Sequence, residues 1–274
     1  VLYKKNELYL NSLIQFGFSA SAILLPKSNS KILSAEAFFK NSVKFELKVV
    51  IKSQVTQLYL FSFTQNKFWA FKQMGVGFPF LRNVPGLSFF KLLGTGAGQG
   101  FSLKPDFSTY ALLAVWEDQA AADHFYQSNP LIKSYREKAS SIRRLSLANT
   151  ASHGLWSGLN PFVPTTTQQT KNLPVAIITR ATLRPQRLLS FWRAVPKASK
   201  AIEAAHGVLY YKGIGEWPFI QQATISIWNS LEEVMQFAYK DNAHKQIVKQ
   251  TKKERWYKED LFARFLVIND QQLL

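Results

Sequence analysis

The chain contains a weak internal repeat, and a repeat limits the possible folds more than any other feature of this sequence. The segment Pro85–Gly94 corresponds to His206–Gly215, and both have the pattern of a strand that ends at a glycine. The segment Tyr110–Asp118 corresponds in the same way to Ala223–Ser230. Each member of this second pair is an apolar run of strand type that closes on a tryptophan and a helix N-cap residue. The chain is therefore predicted to contain two copies of one structural unit.

The remaining elements complete the same unit twice. Each copy opens with a strand candidate, places a helical segment after it, and places an amphipathic helix after the tryptophan; the second copy adds a last strand. This order is that of a ferredoxin-like unit. Because two such sheets can bury their bare faces against each other, the predicted fold class is α+β, with duplicated ferredoxin-like units forming a barrel within one chain. The opening strands are Gln54–Phe63 and Val175–Thr182, the helical segments Phe68–Met74 and Arg187–Ala194, the amphipathic helices Gln119–Tyr126 and Leu231–Tyr239, and the last strand Phe262–Ile268.

Composition sets the limits of the two copies. Prolines, threonines and glutamines between the copies are typical of a segment that ends regular structure. The first fifty residues show no sustained period and predict an extension outside the functional domain. A secretory signal is a poorer match, because Glu7 and other polar residues interrupt the apolar run. The predicted domains are an unmatched N-terminal extension at 1–53, a first ferredoxin-like half at 54–160, a linker at 161–174, a second half at 175–268, and a tail at 269–274.

Charge and residue usage exclude several classes of function. The 34 Lys and Arg residues against 17 Asp and Glu give a net charge of +17, which favours anionic partners. The absence of cysteine excludes disulfides, thiolate metal ligands and cysteine nucleophiles. No apolar run reaches the roughly 20 residues that a membrane-spanning helix needs. We therefore expect a protein that does not span a membrane and that holds any metal through nitrogen or oxygen.

Motifs for hydrolysis or nucleotide binding are missing from the sequence. The glycine-rich stretch Gly94–Gly100 lacks the spacing of a dinucleotide fingerprint, and we interpret it as a hairpin or lid loop over the barrel mouth. Basic residues interleave with Trp256 and Tyr257, which would suit nucleic acid, but no nucleic-acid motif accompanies them. The charge is therefore interpreted as a membrane-surface or acidic-partner signal, with no nucleic acid among the expected partners.

The four histidines differ in their surroundings. His124 falls in a helix, His153 near the linker, and His206 at a strand entry beside Glu203, and each has an ordinary structural explanation. His244 corresponds in the repeat to an apolar position that is expected to face the core. A histidine in such a position is a candidate ligand, and a buried structural histidine is the alternative that these residues leave open.

The second copy carries a family resemblance. Its stretches Phe237–His244 and Glu254–Phe265 resemble the spheroidene monooxygenase family of carotenoid oxygenases, as do Gly86–Gly100, Val115–Asp118 and Gly213–Glu216. The resemblance covers roughly residues 54–268. It implies a fold of the dimeric α+β barrel type and an oxygenase that adds oxygen at an end of an acyclic carotenoid, giving a hydroxyl and then a ketone. It also implies haem b as the cofactor and an external electron donor such as a ferredoxin.

The same resemblance suggests a site. It implies His244 as the iron ligand, because no cysteine is present, with Asp241 near enough in sequence to orient it. No side chain is assigned a catalytic role. Arg193, Lys91 and Lys212 are candidates to pair with haem propionates, Trp228 is a candidate for the haem pocket, and Trp192, Trp217 and Phe219 are candidates to line the substrate path; ordinary surface or core positions are the alternatives.

A polyene substrate resides in a bilayer, so the expected location is cytoplasmic with peripheral attachment to an anionic membrane surface. The sequence does not decide whether the chain forms a homo-oligomer. Three alternatives remain at this point: a different haem enzyme on the same barrel, such as a dehydratase or peroxidase-like protein; a module that only binds haem or another apolar ligand; and a non-haem iron oxygenase with two histidines and a carboxylate.

Overall fold

A computed structural model describes residues 53–98, 102, 104–165, 173–240, 249–251 and 253–274. The expected extension at 1–52, the ligand candidate His244 and its neighbour Asp241 lie outside the described residues. The first half consists of β1 (Val55–Ser62), α1 (Lys67–Val76), β2 (Leu87–Gly96), β3 (Pro105–Trp116), α2 (Gln119–Ser128), α3 (Pro130–Lys138) and β4 (Ser141–Gly154).

The second half repeats this order. It consists of β5 (Val175–Leu183), α4 (Leu188–Glu203), β6 (Val208–Trp217), β7 (Gln221–Trp228), α5 (Leu231–Lys240) and β8 (Tyr257–Gln272). Short 3₁₀ turns at Phe78–Phe80 and Pro185–Arg187 complete the described connections. The predicted duplication of a ferredoxin-like unit is confirmed.

Side-chain capping explains where α2 and α3 of the first half begin. The Asp118 carboxylate accepts a hydrogen bond from the Ala121 backbone N–H at 2.9 Å and starts α2 directly after β3. The Asn129 side chain caps α3 by accepting from the Leu131 N–H at 2.9 Å, and Pro130 follows it at the first helical position. Asn129 is therefore both the C-cap of α2 and the N-cap of α3.

Three elements differ from the sequence prediction. Helix α3 and strand β4 were not predicted, and β8 extends well beyond the predicted Phe262–Ile268 at both ends. The ends of β8 are polar and partly exposed because they continue past the core, so only its middle shows an apolar pattern. Strand β2 also continues to Gly96, two residues past the predicted strand end at Gly94, so the expected loop begins later than predicted.

The eight strands close into an antiparallel barrel in the order β1-β3-β2-β6-β7-β5-β8-β4. The two halves join at two seams. One is short, with Gly94 of β2 opposite Gly215 of β6. The other is long and pairs β4 with β8 from Arg143 opposite Gln272 to Gly154 opposite Leu261. The predicted α+β barrel is therefore confirmed, with both seams made by backbone hydrogen bonds.

Strand alternation separates an apolar barrel interior from an outer face that the helices cover. Leu113 of β3 and Ile225 of β7 point inward and are fully buried. Trp116 and Trp228, which close these same strands, belong to the apolar clusters on the outer faces. The interior is filled by side chains, so a ligand has to bind on an outer face or in a groove between helices.

Candidate active site

A groove of about 340 Å³ lies on the outer face of the barrel, over the seam between β2 and β6. Helix α1 supplies Phe71 and Met74 to one wall, and helix α4 supplies Phe191 and Trp192 to the other. The groove therefore lies where the two halves meet, and its walls are apolar. We call it the seam groove.

Four glycines form the floor of the seam groove: Gly94 and Gly96 of β2, and Gly213 and Gly215 of β6. Their inward-facing neighbours pack in the barrel interior, so alternation places all four on the outer face. A Cβ added to Gly94 would meet only the Gly215 carbonyl oxygen, at 3.9 Å. The space is closer at two other positions, because a Cβ would meet Ser102 at 3.4 Å on Gly96 and the Gln221 carbonyl oxygen at 2.8 Å on Gly215. The floor is thus bare backbone that is open at Gly94, where a flat ligand can approach it closely.

The floor continues across the second half as a row of small polar side chains. Gly213 lies opposite Thr224 of β7, and Thr224 lies opposite Thr179 of β5. The two threonine hydroxyl oxygens are 2.7 Å apart, and Thr179 is exposed although β5 is flanked by strands on both sides. The outer face of the second half is therefore uncovered at the Thr179 end of this row, whereas Thr224 is half-buried and Gly213 is buried.

An ion network fills the barrel interior at the end where β5 and β6 stop. Glu216, which also lines the seam groove, accepts hydrogen bonds from Lys91 Nζ and from Trp156 Nε1, both at 2.6 Å. Arg180 lies 3.7 Å from Glu216 and forms an ion pair with Glu259. Only 2% of the Arg180 side chain is exposed. The network joins β2 of one half to β5, β6 and β8 of the other.

The environment of Glu259 favours its charged form. Burial by itself would raise the pKa of this carboxyl group, but backbone N–H donors at Gly158 and Ser157 and the Arg180 guanidinium outweigh it. The pKa of Glu259 is therefore held below its ordinary value of 4.5. The carboxylate is well suited to hold the buried Arg180 in place.

A second ion pair crosses the same seam. Lys212 Nζ lies 3.3 Å from Asp106 and donates to the Gly98 carbonyl oxygen at 2.9 Å. Burial would raise the pKa of Asp106, but hydrogen bonds from Ser108 and the charge of Lys212 lower it overall. Lys91 and Lys212 occupy equivalent positions of the repeat, and each pairs with a carboxylate of the opposite half.

The structure brings some of the candidate residues together at the groove and separates others. Trp192 and Phe219 line it, and Trp192 Nε1 donates to the Phe219 carbonyl oxygen at 3.2 Å. Trp217 is 67% exposed at the adjacent strand end, and Arg193 is exposed on α4. Trp228 is buried under α5, where its ring packs 5.1 Å from that of Phe237.

Three of the four histidines lie within the described residues, and all three are exposed. His124 lies on α2, and His153 stacks on Phe262 at the end of β4. His206 lies 3.1 Å from Glu233 of α5. The described residues contain no group of three or more histidine and acidic side chains that could hold a metal ion.

Sequence reasoning missed Arg180, Glu259 and the glycine floor. Arg180 interrupts an apolar strand two residues after the inward-facing Ile178, so it shares the inward face of that strand. A charged residue at such a position indicates a buried charge. The floor had a partial signal as well, since Gly94 recurs as Gly215 when the repeat is aligned.

The chain matches no family model. It is 32% identical over 220 residues to the spheroidene monooxygenase of Rhodobacter capsulatus. These residues cover 79% of this chain and 91% of that protein. The chain belongs to the spheroidene monooxygenase family. The Cereibacter sphaeroides spheroidene monooxygenase is also 32% identical, over 218 residues that cover 78% of this chain and 67% of that protein.

Membership of the spheroidene monooxygenase family confirms the resemblance in the sequence and the enzyme class, an oxidoreductase of monooxygenase type. A solved aldoxime dehydratase in complex with butyraldoxime has the same fold, with a TM-score of 0.53 and 12% identity, over 80% of this chain and 81% of that one. In the described part of the chain, every helix is too short or too polar to cross a bilayer.

Proposed function

We propose that the chain is a haem-dependent monooxygenase that hydroxylates an end of an acyclic carotenoid and oxidises the same carbon further to a ketone. The seam groove carries this proposal, because it combines apolar aromatic walls with a floor of bare backbone. The names of the relatives, which specify spheroidene, support a carotenoid as the substrate class. The reaction inserts one atom of O₂ into a C–H bond and releases the other as water, with two electrons from a donor and two protons.

The walls of the groove suit an extended apolar chain. Phe71 and Phe107 lie edge to face, with ring centroids 5.9 Å apart, on the side of the first half. Trp192 and Phe219 make a similar contact at 6.1 Å on the side of the second half. Ligand sites are commonly apolar clefts of about 300–1,000 Å³ with a few polar groups, and the groove falls within this range. Its aromatic faces would hold a polyene and exclude water from the reacting carbon.

The reaction requires a cofactor, since amino-acid side chains do not activate O₂. Haem supplies that activation when bound. The row of Gly213, Thr224 and Thr179 would suit a flat macrocycle, because its side chains are small and the outer face of the second half is exposed at Thr179. The sequence contains no cysteine, so an imidazole is the expected axial ligand.

His244 is the histidine that we assign to the iron. The three described histidines are exposed on α2, at the end of β4 and before β6, and none of them belongs to the strands that carry the row. His244 belongs to the stretch between α5 and Trp256, and Trp256 Nε1 donates to Ser190 of α4 at 2.8 Å. The Trp256 ring also packs 5.5 Å from Phe191, a wall of the groove. Asp241, three residues before His244, is proposed to fix its tautomer.

The other candidates receive more limited roles. Lys91 and Lys212 already form ion pairs within the barrel, so we assign them to positioning the seam under the floor. Arg193 is the proposed propionate partner, because it is exposed on α4 next to Trp192. The net charge of +17 would favour an acidic donor such as a ferredoxin and an anionic membrane surface.

The test is a comparison of His244→Ala with His206→Ala, a matched change at an exposed histidine. The wild type and His206→Ala should bind haem, give the absorption spectrum of histidine-ligated iron, and convert an acyclic carotenoid in the presence of a reducing ferredoxin. His244→Ala should fold but lose the spectrum and the turnover. Full haem content in His244→Ala would refute the ligand assignment, and haem binding without carotenoid turnover would reduce the protein to a binding module.

A further inference from the structure

The turn between β6 and β7 exposes four consecutive apolar residues. Trp217, Pro218, Phe219 and Ile220 are all exposed, Trp217 to 67% and Phe219 to 48%. Large apolar side chains are normally scattered on a soluble surface, and a contiguous group at a turn marks a place of contact. Phe219 and Pro218 also line the seam groove, so the exposed turn forms one edge of its mouth.

Helix α4 extends this apolar surface. Leu189, in its first turn, is 75% exposed and stands one turn before Trp192 on the same side of the helix. Trp192 in turn donates to the Phe219 carbonyl oxygen, and the Leu183 N–H donates to the Ile220 carbonyl oxygen at 2.8 Å. The turn is thus fixed against the start of α4. We call the exposed side chains of Leu189, Trp217, Phe219 and Ile220 the hairpin patch.

Basic side chains surround the hairpin patch. Arg184 directly follows Leu183, the residue bonded to the turn, and it is exposed. Arg193 and Lys197 follow Leu189 at spacings of four along α4, and both are exposed. Arg184, Arg193 and Lys197 form no ion pair with any residue that the structure describes. The patch therefore combines apolar tips with a positive border.

We propose that the hairpin patch docks the chain on an anionic lipid bilayer, with the turn at the depth of the headgroups and the basic border on the lipid phosphates. Tryptophan at such a tip is favoured at a membrane interface, where its ring is partly apolar and its N–H remains wet. A second copy of the chain fits less well, because the two positive borders would repel each other. Docking would place the mouth of the seam groove against the lipid, and this consequence for substrate entry rests on the proposed function.

The test measures co-sedimentation with carotenoid-free vesicles of phosphatidylcholine, with and without phosphatidylglycerol. The chain should bind only the vesicles that contain phosphatidylglycerol, and added salt should release it. Leu189→Ser should lower the partition coefficient about tenfold, because it removes an anchor of the size of leucine. Leu209→Ser is the matched control, since Leu209 is 56% exposed at the other end of β6.

Charge variants form the second arm. The double variant Arg184→Gln and Lys197→Gln should weaken binding to anionic vesicles by roughly twentyfold to thirtyfold. Absence of vesicle binding by the wild type, or equal losses in Leu189→Ser and Leu209→Ser, would overturn the proposal. A concentration-dependent dimer that Leu189→Ser abolishes would assign the patch to a second copy instead.

These outcomes separate the docking surface from the proposed function. Vesicle binding requires neither haem nor carotenoid, so it can hold even if turnover fails. Conversely, if docking is correct, Leu189→Ser should reduce turnover of a carotenoid supplied in anionic vesicles and leave turnover in detergent micelles close to that of the wild type. An equal loss in vesicles and micelles would count against docking.

Discussion

The two halves of the barrel resemble each other on the inward face of their sheets and differ on the outer face. Positions of β3 and β7 correspond when Trp116 is aligned with Trp228. The inward residues of both strands are apolar and buried: Ala111, Leu113 and Val115 in the first half, and Ala223, Ile225 and Ile227 in the second. The common interior is therefore what both copies require in order to close a barrel.

The outer faces differ at one matched row. In the first half the row is Leu92, Leu112 and Tyr59, all 2% exposed or less. In the second half the same positions are Gly213, Thr224 and Thr179, and the last of these is exposed. One copy keeps its outer face sealed under helices, and the other replaces large apolar residues with small ones. Duplication therefore allows one half to maintain stability while the other provides space for a ligand.

Aromatic packing accounts for the sealed half. Tyr135 of α3 stacks on Phe61 of β1 at 4.2 Å and meets Trp69 of α1 edge to face at 5.2 Å. Burial raises the pKa of Tyr135 and of Tyr59 strongly, as expected for phenols held away from water. Each such ring contributes a large buried area, so this layer is expected to dominate the stability of the outer faces.

The buried ion pair of Arg180 lies in the interior that both halves share. Arg180→Ala should lower the free energy of unfolding by about 3–5 kcal/mol, because it leaves the partner carboxylates of a buried pair without their counter-charge. Arg143→Ala is the control: Arg143 also joins the two halves, through Asp270, but its side chain is 27% exposed. It should cost about 1 kcal/mol or less. Equal losses in a urea titration would show that burial of Arg180 does not matter.

A substitution at Leu112 gives the sealed first half the residue type that the second half has at the matched position, Thr224. Leu112→Thr should lower the free energy of unfolding by about 3 kcal/mol, because it removes buried methyl groups and places a hydroxyl group in an apolar layer. Haem content should remain that of the wild type, since Leu112 faces α1 to α3 and not the uncovered row. Urea denaturation followed by circular dichroism measures the first quantity and the absorption spectrum the second. A loss below 1 kcal/mol would contradict the idea that this layer carries stability.

The reciprocal change fills the open half. Thr224→Leu should alter the free energy of unfolding by less than about 1.5 kcal/mol, because the added methyl groups enter free space and only the hydroxyl contact with Thr179 is lost. Haem affinity in a titration should fall at least roughly tenfold, since the larger side chain occupies the proposed cofactor space. Unchanged affinity would place the cofactor elsewhere.

The sequence predicted the interior better than the site. The repeat is readable because Leu113 and Ile225, like Trp116 and Trp228, must satisfy the same packing in both copies. Strand β4 was missed because its polar and apolar residues alternate irregularly beside the bulge between Asn149 and Ala151. The ion-pair partners of Lys91 and Lys212 could not be predicted from the sequence, since Glu216 and Asp106 lie more than a hundred residues away along the chain.

The smallest expected effect is a pH dependence with one carboxylate in each half. Asp106 of the first half and Glu259 of the second both have pKa values below the ordinary 3.8 and 4.5. At acid pH the unfolded chain therefore binds more protons at these positions than the folded chain does. Their contribution to stability is complete above the ordinary values and is lost as the pH falls through the folded-state pKa. Glu259→Gln and Asp106→Asn should each make the urea midpoint depend less steeply on pH below about 4.5, by a small amount because both groups are partly exposed. A steeper slope in either variant would mean that folding raises the pKa of that carboxyl group instead of lowering it. The ion pair of that carboxylate, Asp106 with Lys212 or Glu259 with Arg180, would then not stabilise the fold.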